Sequence, residues 1–446
     1  MGKTLIKNAT IVSDGAVFSG SVLINGDTIS QIIPSGQPLP ESYQTIDAAG
    51  KYLLPGAIDD HVHFRDPGLT HKADMATESR AAAAGGVTTV FDMPNTNPQT
   101  TTLQTLLDKH SRAQECCLVN WAFYLGATRD NLDLVSSIDP SLVCGIKLFM
   151  GSSTGGMLLD DRDSLKALFS AVSLPIAAHC EETGIINAQM EKYSALCGGE
   201  PPVTYHPLIR SEEACYASTS KALDMAAGTN ARLHIMHIST ARELALFGRG
   251  DIEGKQFTAE ACPAHLWFSD SDYATLGTRI KCNPAIKTAS DRQALREGLT
   301  NGLIDVIGTD HAPHLLTEKQ GGCKSAASGM PCLPYSLVAM LELYNKGVMD
   351  ITDVVRLMCH NPARLFSVDK RGFIREGYKA DLVLVARTQQ PVTVTAHNLP
   401  NRCQWSPFEG TQFNWKVCTT WVNGNEVWND GSLTQFIPGE KVRFAR

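Results

Sequence analysis

The sequence predicts an α/β protein: a (β/α)8 TIM-like barrel with a small β-sandwich built from both chain ends. Three observations predict it. Between about residues 54 and 360, short apolar runs ending in polar residues alternate with helix-like stretches, the rhythm of a parallel sheet wound with helices. Both chain ends instead carry short apolar–polar alternation, the pattern of half-buried strands. No Gly-x-Gly-x-x-Gly and no Gly-Lys-Ser/Thr phosphate loop occurs, which sets an open nucleotide-binding sheet aside in favour of a closed barrel.

A chain of 446 residues exceeds the usual size of one domain. The expected division is 1–53 for the first part of the sandwich, 54–363 for the barrel and 364–446 for the second part and a tail. At the N-terminal end, Thr4-Leu5-Ile6, Thr10-Ile11-Val12 and Ser21-Val22-Leu23-Ile24 read as strands, with Asn25-Gly26 as a tight hairpin turn. At the far end, Lys379-Ala380-Asp381-Leu382-Val383-Leu384-Val385 and the run Thr420–Trp428 read the same way, the latter hinged at Asn423-Gly424. Neither group has enough strands to be stable alone, so one shared assembly is expected rather than two separate edge hairpins.

The barrel opens with Tyr52-Leu53-Leu54-Pro55 running into Gly56-Ala57-Ile58-Asp59-Asp60-His61-Val62-His63-Phe64-Arg65-Asp66-Pro67-Gly68. Residues two apart on a strand share a face, so His61, His63 and Arg65 project together. Two imidazoles side by side at a strand end make half of a zinc-type site. Further strands are expected at Val87–Met93 ending at Pro94-Asn95-Thr96, at Val143–Phe149 carrying Lys147, at Leu174–His179, at Leu233–His237 and at Ile304–His311. Helices are expected over Asp74–Ala84, Ser164–Ala171, Ser211–Ala226 and Asp291–Leu299.

In barrels of this class, chemistry gathers at the C-terminal strand ends. His61, His63, Asn95, Lys147, His179, His237 and Asp310 all fall there. Each histidine taken singly is as readily a core residue, but four histidines and an aspartate converging by position point to a metal site. His234 lies on the opposite strand face from His237 and is set aside. His71, His110, His206, His265, His360 and His397 are read as structural or surface residues. Lys147 needs its own account, because an ammonium group beside metal ions is repelled and burial penalises its charge. It is either turned away in a salt bridge or converted by carbon dioxide to a carbamate, an anionic ligand able to bridge two metals. Chemistry alone favours the salt bridge.

Taken together, His61-Val62-His63-Phe64-Arg65-Asp66-Pro67-Gly68, Met93-Pro94-Asn95-Thr96, Lys147 in Ile-Lys-Leu-Phe, His179, His237 and Thr309-Asp310-His311-Ala312-Pro313-His314 resemble the cyclic amidohydrolases over essentially the whole chain. Within that family the set looks most like the dihydroorotases. The resemblance implies two Zn2+ per subunit, one held by His61, His63 and Asp310, the other by His179 and His237. A carboxylated Lys147 and a hydroxide would bridge them, which reverses the salt-bridge preference.

The implied reaction is the reversible closure of N-carbamoyl-L-aspartate to L-dihydroorotate in de novo pyrimidine biosynthesis, with Asp310 moving the proton. Arg65 suits bidentate pairing with the exocyclic carboxylate of that substrate. The likeness adds Asn95 and His314 as its partners and Asn283 as a ring contact. The structural alternative for Arg65 is a salt bridge to Asp66 or Asp92. Some dihydroorotases bridge the metals with an aspartate, and Asp160-Asp161 keep that variant open. The glycine- and serine-rich stretch 151–156 before them is read as a loop able to close over substrate.

Allantoinases and dihydropyrimidinase- or hydantoinase-type enzymes are the alternative activities. Non-catalytic descendants of this architecture would show gaps at the ligand positions, and none is present. The resemblance also implies a homodimer or homotetramer. A formal net charge of −7 and a pI near 6.0 give no basic surface for nucleic acid. The chain has neither an apolar leader nor an apolar span of membrane length. Its 13 cysteines are scattered and form no Cys-x-x-Cys, so they read as reduced thiols. A soluble, cytoplasmic enzyme with a small-molecule substrate and no nucleic-acid or membrane partner is expected.

Overall fold

Eight strands pair in parallel, each with the next in sequence: Ala57–Val62, Val87–Asp92, Asn120–Gly126, Gly145–Met150, Pro175–Cys180, Arg232–Ile235, Phe257–Ala261 and Val306–Ile307. The computed structural model describes residues 3–41, 44–151, 156–396 and 399–446. Most of these strands are buried along their full length, because helices cover one face and the barrel interior fills the other. They therefore read as apolar runs rather than as alternation. The eighth and first strands close on each other just past their ends. Val62 bridges His311 in parallel, and the His63 N–H donates to the His311 carbonyl at 2.8 Å. Closure thus lies among the histidines and Asp310.

The expected helices form with small shifts that their caps explain. Asp74 and Thr77 make a reciprocal capping box at the start of Met75–Ala84. Ser211 accepts the Ala214 N–H and starts Glu212–Ala226, and Thr288 caps Ala289–Thr300. The helix expected from Ser164 begins earlier, at Arg162–Ala171, because the Asp161 carboxylate accepts the Ser164 N–H at 3.0 Å. Asp161 also pairs with Arg129, and the Asp160 carbonyl accepts from Lys221. The reading of these aspartates as an alternative metal bridge is therefore corrected: Asp161 is a helix cap. Residues 152–155 of the expected closing loop lie outside the described residues, as does His397.

Both chain ends build one nine-stranded mixed sheet. Lys3–Ser13 runs parallel to Tyr52–Pro55, which in turn runs antiparallel to Leu382–Thr393 with Leu54 opposite Val383. The ends are thus joined through the strand that leads into the barrel. Asn25-Gly26 and Asn423-Gly424 both make hairpin turns, the second with positive φ at both residues (49° and 74°). These turns abut, since a Cβ at Gly424 would stand 2.1 Å from the Gly26 carbonyl oxygen. All 13 cysteines are free thiols. Among the described residues, no helix is long and apolar enough to cross a membrane.

Candidate metal centre

At the C-terminal ends of the strands lies a small, partly open cavity. His61, His63, Arg65, Asn95, Lys147, His179, His237, Asn283 and Asp310 line it, together with Phe149, Ala312, Ser328 and Gly329. His314 is not part of the wall but touches Arg65, its Nε2 lying 3.1 Å from Arg65 Nη2. Folding thus brings every side chain singled out from the sequence to one place.

Two half-sites face each other. Asp310 Oδ1 stands 3.3 Å from His61 Nε2 and 3.1 Å from His63 Nε2, so three ligand atoms converge as a cation would require. His179 Nδ1 and His237 Nε2 lie 2.9 Å apart, a second pair of nitrogens aimed at one point. The His61 and His237 rings, 5.4 Å between centroids, join the two halves. Burial pushes His63 down to about 4 against the pull of Asp310, and burial with the neighbouring His179 and His61 holds His237 well below the ordinary histidine range. Both are therefore neutral near pH 7, the form that binds metal. Burial alone would raise Asp310, but His61 and His63 hold its carboxyl well below the usual carboxylate range.

Each histidine is oriented through its far nitrogen. His61 Nδ1–H donates to Glu260 Oε1 at 2.8 Å, and His63 Nδ1–H donates to Asn95 Oδ1 at 2.8 Å. Glu181 Oε2 lies 3.0 Å from His179 Nε2 and is itself ion-paired with Arg210. His237 is held through its backbone, whose N–H donates to Glu260 Oε1 at 2.9 Å, while its Nδ1 is buried with no hydrogen-bond partner among the described residues. Arg65, His237 and Asp310 all carry positive φ (65°, 43° and 47°), a conformation costly for residues with a Cβ, and all three line the cavity.

Lys147 is fully buried, its Nζ 2.8 Å from Met236 Sδ and 4.8 Å from the centre of the Phe149 ring. Burial pushes it down to about 8 despite Glu260 and Asp310 nearby. Among the described residues it makes no ion pair, which removes the salt-bridge reading. Arg65 likewise lacks its expected structural acids: Asp66 pairs with Arg112 at 3.2 Å and Asp92 with Lys109 at 2.6 Å. Arg65 instead donates Nε–H to the Pro313 carbonyl at 3.1 Å. Asn283 Oδ1 is buried at the cavity wall without a hydrogen-bond partner among the described residues.

Two residues of this centre were not singled out from the sequence. Glu181 was legible, since it stands two residues after His179 and shares its strand face. Glu260 gave no signal, because Phe257-Thr258-Ala259-Glu260-Ala261 has the composition of an exposed segment. His234, set aside from the sequence, is buried beside Asp60, its Nε2 3.2 Å from Asp60 Oδ2. His110, His206, His265 and His360 each bond a backbone carbonyl, as structural histidines do, and His71 lies at the surface near Glu318.

Comparison with known proteins agrees with this geometry. The model of the amidohydrolase family matches residues 52–427. A dihydroorotase of Halobacterium salinarum is 34% identical over 89% of this chain and 91% of its own. A dihydroorotase of Methanosarcina acetivorans is 31% identical over 98% and 96%. An allantoinase of Bacillus velezensis is 29% identical over 97% and 95%. The solved structure of the L-hydantoinase (dihydropyrimidinase) from Arthrobacter aurescens superposes with a TM-score of 0.92 at 28% identity, covering 99% of this chain and 100% of that one. The chain belongs to the amidohydrolase family and is a hydrolase acting on cyclic amides.

Proposed function

We propose that the chain is a dihydroorotase, closing N-carbamoyl-L-aspartate reversibly to L-dihydroorotate in pyrimidine biosynthesis. Arg65 carries this reading. It is a 6% exposed guanidinium in the wall of the metal cavity, and among the described residues no carboxylate pairs with it. A buried cation without a counterion is costly, and a substrate carboxylate would supply one. Allantoin and dihydrouracil have no such group. Asn95 supports the reading, since it lines the same cavity and its Oδ1 is spent on His63, leaving the NH2 as the end able to donate to an anion.

The donor set fits two zinc ions: His61, His63 and Asp310 for one, His179 and His237 for the other. Lys147 fits as the bridge once carboxylated, because burial favours the neutral amine that reacts with carbon dioxide. Bound there, the zinc ions would supply Lewis-acid polarisation of the ring carbonyl and a water acidic enough to attack near neutral pH. Asp310, ionised and beside both histidines, is placed to accept a proton from an attacking water and would return it to the leaving ring nitrogen. Asn283 offers its amide to the ring.

Purified, zinc-loaded protein should interconvert dihydroorotate and N-carbamoyl-L-aspartate in both directions and leave allantoin and dihydrouracil largely untouched. Turnover confined to allantoin or dihydrouracil would contradict the reading.

A further inference from the structure

We infer that Lys72 is a positioning residue: by fixing the tautomer of His314 it keeps the Arg65 guanidinium free for an anionic substrate. The inference rests on the reading of Arg65 given above. The stretch from Arg65 to Lys72 doubles back on itself, with Leu69 N–H bonded to the Arg65 carbonyl and Lys72 N–H to that of Leu69, both at 3.0 Å. Both side chains therefore reach the same imidazole, Lys72 Nζ at 3.1 Å from Nδ1 and Arg65 Nη2 at 3.1 Å from Nε2.

An ammonium group can only donate, so Nδ1 must accept from Lys72. The ring proton then sits on Nε2, where it donates to the Ser328 carbonyl at 3.0 Å. Arg65 Nη2 thus faces an N–H and cannot bond it. With the ring proton spent on Ser328, Arg65 Nη2 gains no acceptor from His314, and the guanidinium stays available at the wall of the cavity in which the substrate carboxylate would lie. Burial and the charges of Arg65 and Lys72 keep His314 neutral, so a single tautomer decides the matter.

Glu318 makes Lys72 necessary. Its carboxylate pairs with Lys72 at 2.8 Å and lies 3.7 Å from His314 Nδ1. Without Lys72 it is the nearest acceptor for an Nδ1–H. The ring proton would move there, Nε2 would accept from Arg65, and the guanidinium would be spent inside the protein.

The test is nitrogen-15 spectroscopy of the histidines of the full-length, zinc-loaded protein, with the His314 signals assigned by their loss in His314→Gln. In the unsubstituted protein Nε2 should be the protonated nitrogen; protonation at Nδ1 overturns the inference without any variant. In Lys72→Met the proton should move to Nδ1, and in Lys72→Met/Glu318→Ala it should return to Nε2. With the zinc content unchanged, KM for dihydroorotate in Lys72→Met should rise about 10- to 100-fold, the worth of a charge-assisted hydrogen bond, while kcat falls less than about threefold. Lys72→Arg, which retains a donor, should preserve both tautomer and KM. An unmoved tautomer in Lys72→Met, or a loss falling on kcat and zinc content instead of KM, overturns the assignment. If the unsubstituted protein ignores dihydroorotate, the proposed activity fails separately, and the tautomer measurements still decide the role of Lys72.

Discussion

Glu260 Oε1 accepts the Nδ1–H of His61 at 2.8 Å from the floor of the metal centre. The same oxygen accepts the backbone N–H of His237 at 2.9 Å, so one buried carboxylate holds a ligand from each half-site. Gly308 leaves room for it: a Cβ there would meet Glu260 Oε2 at 2.5 Å and Asp60 Oδ1 at 2.6 Å.

Removing that carboxylate should loosen both half-sites together. Glu260→Ala is expected to weaken zinc binding about 10- to 100-fold, the usual cost of losing a group that orients a metal-binding histidine. Glu260→Gln, whose amide oxygen still accepts, should lose less. Competition with a chromogenic chelator, beside circular dichroism as a folding control, measures both.

In the second half-site, His237 is held through its backbone, and among the described residues its Nδ1 has no hydrogen-bond partner. If the proposed two-zinc centre is right, the unsubstituted protein should bind two zinc ions per chain, and His237→Ala should bind one and lose activity. Elemental analysis of dialysed protein reads the stoichiometry.

Lys319 gives a pH dependence of stability. Its Nζ donates to the carbonyls of Lys281, Ala327 and Gly329 at 2.7–2.9 Å, tying down the loop that forms the Ser328-Gly329 wall of the cavity. Burial nevertheless pushes it down to about 7 from the ordinary 10.5. The unfolded chain therefore binds more protons than the folded one between about pH 7 and 10.5, and this lysine makes stability rise with pH across that window. Relative to Lys319→Met, the unsubstituted protein should gain up to about 1.4 kcal/mol per pH unit there. Denaturant titrations at pH 7.5 and 9.5, compared between the two proteins, check the slope.

How much of this was legible from sequence depended on what each strand ended in. The strands that finish in a histidine, Asn95 or Asp310 were readable, because a polar residue at the end of an apolar run marks a barrel strand. Asn120–Gly126 ends in glycine, and Phe257–Ala261 holds threonine, glutamate and alanine, so neither was read as a strand. The second omission hid Glu260, whose carboxylate is held by His61 and His237 from other parts of the chain. The Lys72–His314–Arg65 contacts were out of reach for the same reason, since His314 lies more than two hundred residues from both cations. The pairing of His61 with His63, by contrast, follows from strand periodicity, whereas His237 and Asp310 lie past the ends of their strands with positive φ and were assigned by the family resemblance.

The central claim is that Arg65 reads a substrate carboxylate, and the most direct measurement is kcat/KM for dihydroorotate in Arg65→Met with zinc content followed in parallel. Leaving a buried carboxylate unpaired costs about 3–5 kcal/mol, so kcat/KM should fall about 10²- to 10³-fold or more while zinc content stays that of the unsubstituted protein. Dihydroorotate turnover that survives the substitution at full zinc loading would contradict the account.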